Sequence, residues 1–290
     1  MKKIIILIPV FNDWQSLFKL LENINNEVSN LEAEFSVIIV NDASTETRSE
    51  INLNLNNIKS IQVVNMKENR GHARCYATGM KYIFEKKEFD YVIPMDGDGE
   101  DRPEEIKQFI DNLNYQPQKP VVGERVKRSE SLFFKFCYNV HKIFTFAFTG
   151  QSIKYGNYTC LPKSIVEKMI KEKATWSSFS GSLAKVVKDR TSVPSIRGKR
   201  YFGPSKMSFV NLIKHSLSII AVFRFNVLIR SILFLLIYLF LVSQNFSLIT
   251  LIPIPLIIIM IVAVFSTSNR ENILEFNNSL TNIINIENLK

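Results

Sequence analysis

The chain has 290 residues, enough for one large globular domain with an attached segment or for two small domains. Its three cysteines form no Cys-x-x-Cys pair, which argues against a zinc site and a disulfide framework and fits a reducing compartment. The net charge is +9, but it is unevenly spread: residues 1–118 carry 13 Lys and Arg against 19 Asp and Glu, whereas residues 119–214 carry 19 against 5.

The basic block at residues 119–214 predicts a partner that carries phosphate, such as nucleic acid, anionic lipid or a nucleoside diphosphate. Nucleic acid is the least favoured of these, because the block runs directly into apolar sequence typical of a membrane segment. We therefore expect no nucleic-acid partner and a phosphate-bearing ligand close to a membrane.

Short apolar runs alternate with segments that carry apolar residues at helical spacing. The runs that predict strands are 4–8, 35–40, 61–64, 91–95 and 121–122. The segments that predict helices are 14–28, 72–84 and 103–113. Strands that alternate with helices predict an α/β fold with a mostly parallel sheet, in which ligands bind at the carboxyl ends of the strands.

Polar clusters follow four of the predicted strands, at the sheet edge where ligands are expected. They are residues 9–13, 41–44, 96–100 and 123–125. Four such clusters at one edge indicate a single site better than four unrelated turns do.

The third of these clusters carries three carboxylates at spacings of two, Asp96, Asp98 and Glu100. An extended chain would place all three on one side, and clustered hard oxygen ligands suit Mg²⁺ or Mn²⁺ with room for phosphate oxygens. The alternative is a solvated acidic turn before the helix that Pro103 starts.

Residues from 209 onward predict attachment to a membrane. We expect an interfacial amphipathic helix at 209–226, two transmembrane helices within 227–266 joined by a tight turn at 243–245, and a cytoplasmic tail at 267–290. The turn has no Lys or Arg, whereas Arg224, Arg230 and Arg270 flank the other end, which predicts a multi-pass inner-membrane protein with its globular part in the cytoplasm. A buried helical hairpin of a soluble domain is the alternative.

Four motifs together resemble family-2 glycosyltransferases of the GT-A fold (a Rossmann-like domain with a mostly parallel sheet), and within them the branch that makes polyprenyl-phosphate and dolichol-phosphate sugars. The motifs are Pro9-Val10-Phe11-Asn12-Asp13, Val40-Asn41-Asp42-Ala43-Ser44, Asn69-Arg70-Gly71 and Asp96-x-Asp98-x-Glu100-Asp101-x-Pro103. The resemblance covers about residues 3–208, so the expected GT-A domain is 1–208. The chain departs from the branch at Glu100, where Gln is common, and at Ala43, where Gly is usual.

The resemblance implies roles for individual residues. The implied nucleotide-binding residues are Pro9, Phe11 and Asp13 at the base, Asp42 at the base or ribose, and Gly71 and Asp96. The implied metal ligands are Asp96, Asp98 and Glu100, for Mg²⁺ or Mn²⁺. The implied diphosphate and acceptor-phosphate groups are Arg125, Arg128, Arg200, Ser205 and Lys206, of which Arg125, Arg200 and Lys206 are implied to be catalytic together with Asp98.

The expected function is transfer of a hexose from a UDP- or GDP-linked donor to polyprenyl phosphate, with inversion at C1. A phosphate monoester is already ionised near pH 7, so the acceptor needs no strong general base. Two alternatives stay open: transfer to a hydroxyl of a glycolipid or polysaccharide, which needs a carboxylate base, and a nucleotide-binding membrane scaffold without turnover. The sequence is compatible with a homo-oligomer. It does not specify which sugar is transferred.

Overall fold

A computed structural model describes residues 1–48, 54–127, 132–204 and 208–290 of the chain. Eight strands form one sheet in the order β7-β5-β6-β4-β1-β2-β3-β8. The strands are β1 (Lys2–Val10), β2 (Ala33–Asn41), β3 (Ser60–Met66), β4 (Tyr91–Pro94), β5 (Val121–Lys127), β6 (Tyr155–Pro162), β7 (Thr191–Ile196) and β8 (Ile283–Asn288).

Strand β1 lies at the centre of a parallel block formed by β4, β1, β2 and β3. Its residues 4–10 are all buried, as expected for a strand covered on both faces. Ile4, Ile6 and Ile8 face one hydrophobic layer and Ile5 and Leu7 face the other, because side chains alternate along a strand.

Helices cover both faces of the sheet. The helices of the globular part are α1 (Trp14–Glu27), α2 (His72–Lys86), α3 (Ile106–Tyr115), α4 (Leu132–Thr149), α5 (Lys163–Lys171) and α6 (Phe179–Val186). Helices α1 and α3 pack on the layer of Ile4, whereas α2, α5 and α6 pack on the layer of Ile5. The predicted α/β fold with a mostly parallel sheet is therefore confirmed.

The sheet is mixed outside its parallel centre. Strand β6 runs antiparallel to both β4 and β5, and β8 runs antiparallel to β3. The fifth strand was predicted at 121–122 only, but β5 continues to Lys127 because residues 121–127 pair with β7. Arg125 consequently lies within a strand rather than just past its end.

A helical hairpin follows the globular part. It consists of α7 (Phe209–Ala221), α8 (Arg224–Val242), α9 (Leu248–Leu251) and α10 (Pro253–Ser268). The stretches 224–242 and 248–277 are long and apolar enough to cross a membrane, and only 11% of each apolar window is buried inside the molecule. The second apolar helix is interrupted directly before Pro253, where α9 gives way to α10.

Charged side chains join the base of the hairpin to the globular part. Glu271 follows α10 and is almost fully buried; its Oε2 accepts a hydrogen bond from Arg224 (3.0 Å) at the start of α8. Lys173, in a short 3₁₀ helix of the globular part, lies 3.7 Å from the same carboxylate. Arg230 of α8 donates to the Ala147 carbonyl of α4 (3.1 Å).

The prediction that residues 267–290 form a tail is wrong, because much of that stretch belongs to the folded domain. Helix α11 (Ile273–Asn277) and strand β8 return to the sheet. Phe276 is fully buried against Trp176, with ring centroids 5.5 Å apart, and the Trp176 indole N–H donates to Glu275 (2.8 Å). Burial of this aromatic ring and pairing of the β3 edge outweigh the polar, Asn-rich composition that indicated a tail.

Replacing Phe276 tests whether the C-terminal segment is part of the core. Phe276→Ala should lower the free energy of unfolding by about 3–5 kcal/mol, because it deletes a buried ring and leaves a cavity. Leu274→Ala on the same short helix is the matched control, since Leu274 is 70% exposed. Chemical unfolding of both variants in detergent gives the comparison, and equal unfolding midpoints would return residues 271–290 to the status of a tail.

Candidate functional site

The candidate site lies at the carboxyl ends of β1, β2 and β4. These strands are parallel neighbours, so the segments that follow them meet at one edge of the sheet. The segments are 9–13 after β1, 41–44 after β2 and 95–101 after β4. A fourth segment, residues 197–201 after β7, crosses this edge and is called the basic strap below.

The acidic segment is a turn and not an extended chain. Strand β4 ends at Pro94, and Gly99 has φ +88°, a conformation that side chains rarely adopt. A Cβ atom at Gly99 would also stand 2.5 Å from the Tyr201 ring of the basic strap. The three carboxylates predicted to share one side therefore point to different partners.

Asp98 is paired with the basic strap. Arg200 donates from Nη1 to Asp98 Oδ2 (2.5 Å) and from Nη2 to Asp13 Oδ2 (2.6 Å), and all three side chains are at most 20% exposed. One guanidinium thus joins the acidic turn after β4 to the loop after β1. Fork-shaped donors suit two carboxylates at once, and also suit the oxygens of a diphosphate.

Main-chain hydrogen bonds fasten the strap to the acidic turn. The Gly198 N–H donates to the Glu100 carbonyl (2.8 Å), and the Tyr201 N–H donates to the Asp98 carbonyl (2.9 Å). Glu100 itself pairs with Arg197 of the strap. Glu100 is therefore held by a guanidinium, and within the described residues it does not converge with Asp96 and Asp98 as a three-carboxylate metal site, which corrects that expectation.

Asp96 is held by the helix that follows β3. Its Oδ1 accepts a hydrogen bond from the Tyr76 hydroxyl (2.8 Å) and lies 3.1 Å from His72 Nε2, and Asn157 of β6 donates to the same oxygen at 3.4 Å. The Asp96 main-chain N–H donates to Asp101 Oδ2 (2.9 Å). Both the backbone and the side chain of Asp96 are consequently fixed.

Burial and neighbouring carboxylates oppose ionisation in the acidic turn despite its arginines. Burial, followed by the charges of Asp96 and Glu100, raises the pKa of Asp98 to about 6 although Arg200 is in contact with it. Burial and the charge of Asp96 also raise the pKa of Asp101 to about 8. Burial opposes ionisation of Asp96 as well, but His72, Arg197 and Tyr76 together outweigh it and lower the pKa of Asp96.

Asp42 organises the loop that starts α2. Its carboxylate is buried and accepts hydrogen bonds from the main-chain N–H groups of Arg70 (2.8 Å) and Gly71 (2.9 Å). Gly71 has φ +89° and lies directly before the first residue of α2. Ala43 has φ +56°, which explains why glycine is the usual residue at this position of the resembled motif.

The remaining predicted residues are placed as follows. Pro9 is the penultimate residue of β1, and Phe11 is 40% exposed beside it. Arg125 lies in β5 with its guanidinium against Gly156. Its positive charge partly offsets the rise in the pKa of Asp101. Arg128, Ser205 and Lys206 lie outside the described residues.

A divalent cation fits the chemistry of the acidic turn, but not as the predicted three-carboxylate set. Within the described ranges, no three His, Cys, Asp or Glu side chains are arranged to hold one ion. Hard carboxylate oxygens nevertheless match Mg²⁺ and Mn²⁺. Burial and the neighbouring charges of Asp96 and Glu100 raise the pKa of Asp98, so a cation bound at this carboxylate would favour its ionised form. Asp98 and Asp96 are the residues best placed to share a cation.

Several site residues were missed in the sequence. Arg197 belongs to the same basic block as Arg200, and its pairing with Glu100 depends on contacts between distant parts of the chain. The sequence pattern indicates that Tyr76 is a core residue of an amphipathic helix. Its position one turn after His72 was the one indication that the two side chains lie on the same face. Asn157, inside a strand, gave no signal.

Curated proteins with related sequences are undecaprenyl-phosphate sugar transferases. The undecaprenyl-phosphate 4-deoxy-4-formamido-L-arabinose transferase of Salmonella choleraesuis (strain SC-B67) is 26% identical over 222 residues, and that of Proteus mirabilis (strain HI4320) is 29% identical over 219 residues. Each alignment covers 73% of this chain and 64% of the relative. The chain thus spans just under two thirds of the length of these relatives.

Solved structures share the fold at low sequence identity. Glucosyl-3-phosphoglycerate synthase from Mycobacterium tuberculosis, crystallised with Mn²⁺, UDP and glucosyl-3-phosphoglycerate, superposes with a TM-score of 0.56 at 13% identity and covers 78% of this chain and 80% of that one. Residues 1–349 of S. aureus TarS, crystallised with UDP-GlcNAc, give a TM-score of 0.50 at 14% identity and cover 80% and 70%.

The model of Glycosyl transferase family 2 matches residues 5–165, which include Asp13, Asp42 and the whole acidic turn. Because the match extends over more than half of the chain, the protein belongs to glycosyl transferase family 2.

Proposed function

We propose that the protein is a membrane-bound inverting glycosyltransferase that moves a hexose from a nucleotide-sugar to polyprenyl phosphate. The observation that carries this proposal is the bridge from Asp13 through Arg200 to Asp98. The guanidinium proposed to bind the diphosphate lies at the sheet edge, eight residues before Ser208, the N-cap of α7, from which the chain enters the apolar hairpin. The proposed donor site and the proposed membrane segment are therefore close together in the chain.

The donor nucleotide is assigned to the edge formed by β1 and β2. Asp13, Asp42 and the loop ending at Gly71 surround this edge, with Pro9 and Phe11 along one side. The UDP and UDP-sugar in the crystals of the two neighbours support a nucleotide-sugar donor.

Mg²⁺ or Mn²⁺ would be held by Asp98 and Asp96. When bound, a divalent cation stabilises the charge that develops on the nucleoside diphosphate as it leaves the sugar C1. Arg200 contacts two carboxylates that flank this position, so its guanidinium can pass from carboxylate to diphosphate oxygens without a large movement. The Mn²⁺ in the crystals of the mycobacterial neighbour supports this cofactor class.

The acceptor is the phosphate of a membrane lipid, and its recognition is assigned to the basic strap and the residues that follow it. Arg125 of β5 is assigned to the same role as Arg200 of the strap, and Arg128, Ser205 and Lys206 remain predictions from the sequence. The lipid phosphate attacks C1 directly and inverts its configuration; being ionised, it needs no base. The names of the curated relatives, which specify undecaprenyl phosphate, support this acceptor.

The hairpin is assigned to the inner membrane, with the catalytic domain on the cytoplasmic side. Both ends of the hairpin return to the globular part, which supports two crossings rather than one. Exposed apolar residues continue from α8 onto α4, where Ile143, Phe144 and Phe146 face outward. This apolar surface beside the hairpin supports interfacial seating of the domain.

Asp98→Asn should lower transfer by at least about 10²-fold, since it removes charge stabilisation of the leaving group while keeping the shape of the side chain. Product analysis with radiolabelled nucleotide-sugars and undecaprenyl phosphate in liposomes measures this, and the same donor screen identifies the base and the sugar. Asp111→Asn is the control, because Asp111 is an exposed carboxylate that pairs with Lys107 on α3. Normal turnover in Asp98→Asn at limiting metal would refute the metal role, and a sugar found only on hydroxyl acceptors would support the alternative reaction.

Arg200→Ala should lower transfer by roughly 10- to 150-fold, since a charge-assisted hydrogen bond is typically worth about 1.5–3 kcal/mol. Lys199→Ala is the matched control, because Lys199 is the neighbouring cation of the strap and is exposed. Both variants are assayed in the same liposomes at two salt concentrations. An equal, salt-sensitive loss of transfer activity in the two variants would show that Arg200 acts as a general surface charge.

Cysteine labelling tests the orientation of the hairpin. Asn245→Cys, in the turn between α8 and α9, should react with a membrane-impermeant maleimide in right-side-out vesicles. Tyr115→Cys, at an 85% exposed position of the globular part, should react only after the vesicles are opened. The reverse labelling pattern would overturn the proposed topology.

A further inference from the structure

We propose that Tyr76 and His72 are positioning residues that hold the Asp96 carboxylate in one orientation toward the metal–diphosphate of the donor. This inference rests on the proposed function, because it concerns how the chain prepares Asp96 for the same donor. It adds two side chains of α2 that the resembled motifs do not contain. Neither residue is assigned contact with the substrate.

The contacts of Tyr76 are specific to Asp96. Its side chain is fully buried, and its hydroxyl reaches Asp96 Oδ1 at 2.8 Å. Phe179 of α6 packs against the Tyr76 ring with centroids 5.7 Å apart, which limits the positions open to the ring. A buried hydroxyl that donates to a carboxylate forms a short, charge-assisted hydrogen bond of fixed direction.

His72 approaches the same oxygen from the preceding turn of the helix. Residues four apart lie on one face of a helix, so the His72 ring stacks edge-on against Tyr76, with centroids 4.8 Å apart. Its Nε2 lies 3.1 Å from Asp96 Oδ1, and the His72 side chain is 44% exposed. His72 is therefore a donor that can be replaced without disturbing the core.

The contacts converge on one oxygen of Asp96. Tyr76, His72 and Asn157 all face Oδ1, and the Asp96 main chain is fixed separately by Asp101. We assign the other oxygen, Oδ2, to the cation side of the carboxylate. Hydrogen bonds of this kind orient metal-binding carboxylates, and their loss typically lowers metal affinity or activity by about 10- to 100-fold.

The same segment of chain is also bonded to the base side of the site. Arg70 and Gly71, directly before α2, donate their main-chain N–H groups to Asp42. Residues 70–76 thus connect the carboxylate after β2 with the carboxylate after β4. The start of α2 sets the spacing between the two, which is the spacing that a nucleotide and its diphosphate must match.

Metal binding by the full-length protein in detergent tests the inference apart from turnover. Free Mn²⁺ is measured by electron paramagnetic resonance during titration in the presence of UDP and, separately, of GDP. Tyr76→Phe should weaken Mn²⁺ binding by about 10- to 100-fold. Tyr82→Phe is the matched control and should bind as the parent does, because Tyr82 is a buried tyrosine of the same helix whose hydroxyl bonds Gln62 instead.

A second pair of variants separates positioning from packing. His72→Leu should weaken Mn²⁺ binding, whereas His72→Gln should restore most of it, since the Gln amide can donate to the same oxygen. Thermal unfolding of Tyr76→Phe beside Tyr82→Phe shows whether Tyr76→Phe folds. If it does not, the two His72 variants still test the positioning role. The inference is overturned if a folded Tyr76→Phe binds Mn²⁺ as Tyr82→Phe does, or if His72→Gln and His72→Leu bind alike. A parent protein that binds no Mn²⁺ with either nucleotide would overturn the inference and the proposed function together, whereas a parent that binds while these variants remain unaffected would overturn the inference alone.

Discussion

Like-charge repulsion at the end of β4 is the constraint on which the candidate site depends. Asp96, Asp98, Glu100 and Asp101 stand within six residues, and the pKa values of Asp98 and Asp101 rise because burial and neighbouring charges disfavour ionisation. Such a turn is stable only when its surroundings supply positive charge and hydrogen-bond donors. The basic strap supplies one guanidinium to Asp98 and one to Glu100, and α2 supplies a hydroxyl and an imidazole that both contact Asp96. The separate partners explain why the carboxylates diverge.

The sequence predicted the central strands, the helices between them and the edge that carries the polar clusters. These features follow from local pattern: apolar runs bounded by turns and helical spacing between them. The conformation of the acidic segment did not follow, because an alternating series of carboxylates reads as extended chain, whereas Gly97 and Gly99 permit a turn. Which arginine pairs with which carboxylate also stayed hidden. Those pairings join residues about a hundred positions apart, and spacing carries no information about them.

The C-terminal segment shows where composition misleads. An Asn-rich stretch after an apolar hairpin resembles a solvated tail, yet its few apolar residues are enough to anchor it. Phe276 buries one ring beside Trp176, and the strand that follows pairs with an edge that is already formed. Glu271 adds a buried carboxylate between cations from the hairpin and the globular part. The hairpin is therefore joined to the catalytic sheet at both of its ends.

This return of the chain to β3 has a consequence for biosynthesis. Ribosomes make β8 after the two apolar helices, so the sheet cannot acquire its last strand until the hairpin has been synthesised and, if it spans the bilayer, inserted. During that interval the edge of β3 has unpaired main-chain groups, which is a known hazard for edge-to-edge association. Delayed insertion would lengthen this exposure, so aggregation of the nascent chain should depend on the capacity of the insertion machinery as well as on the intrinsic stability of the domain.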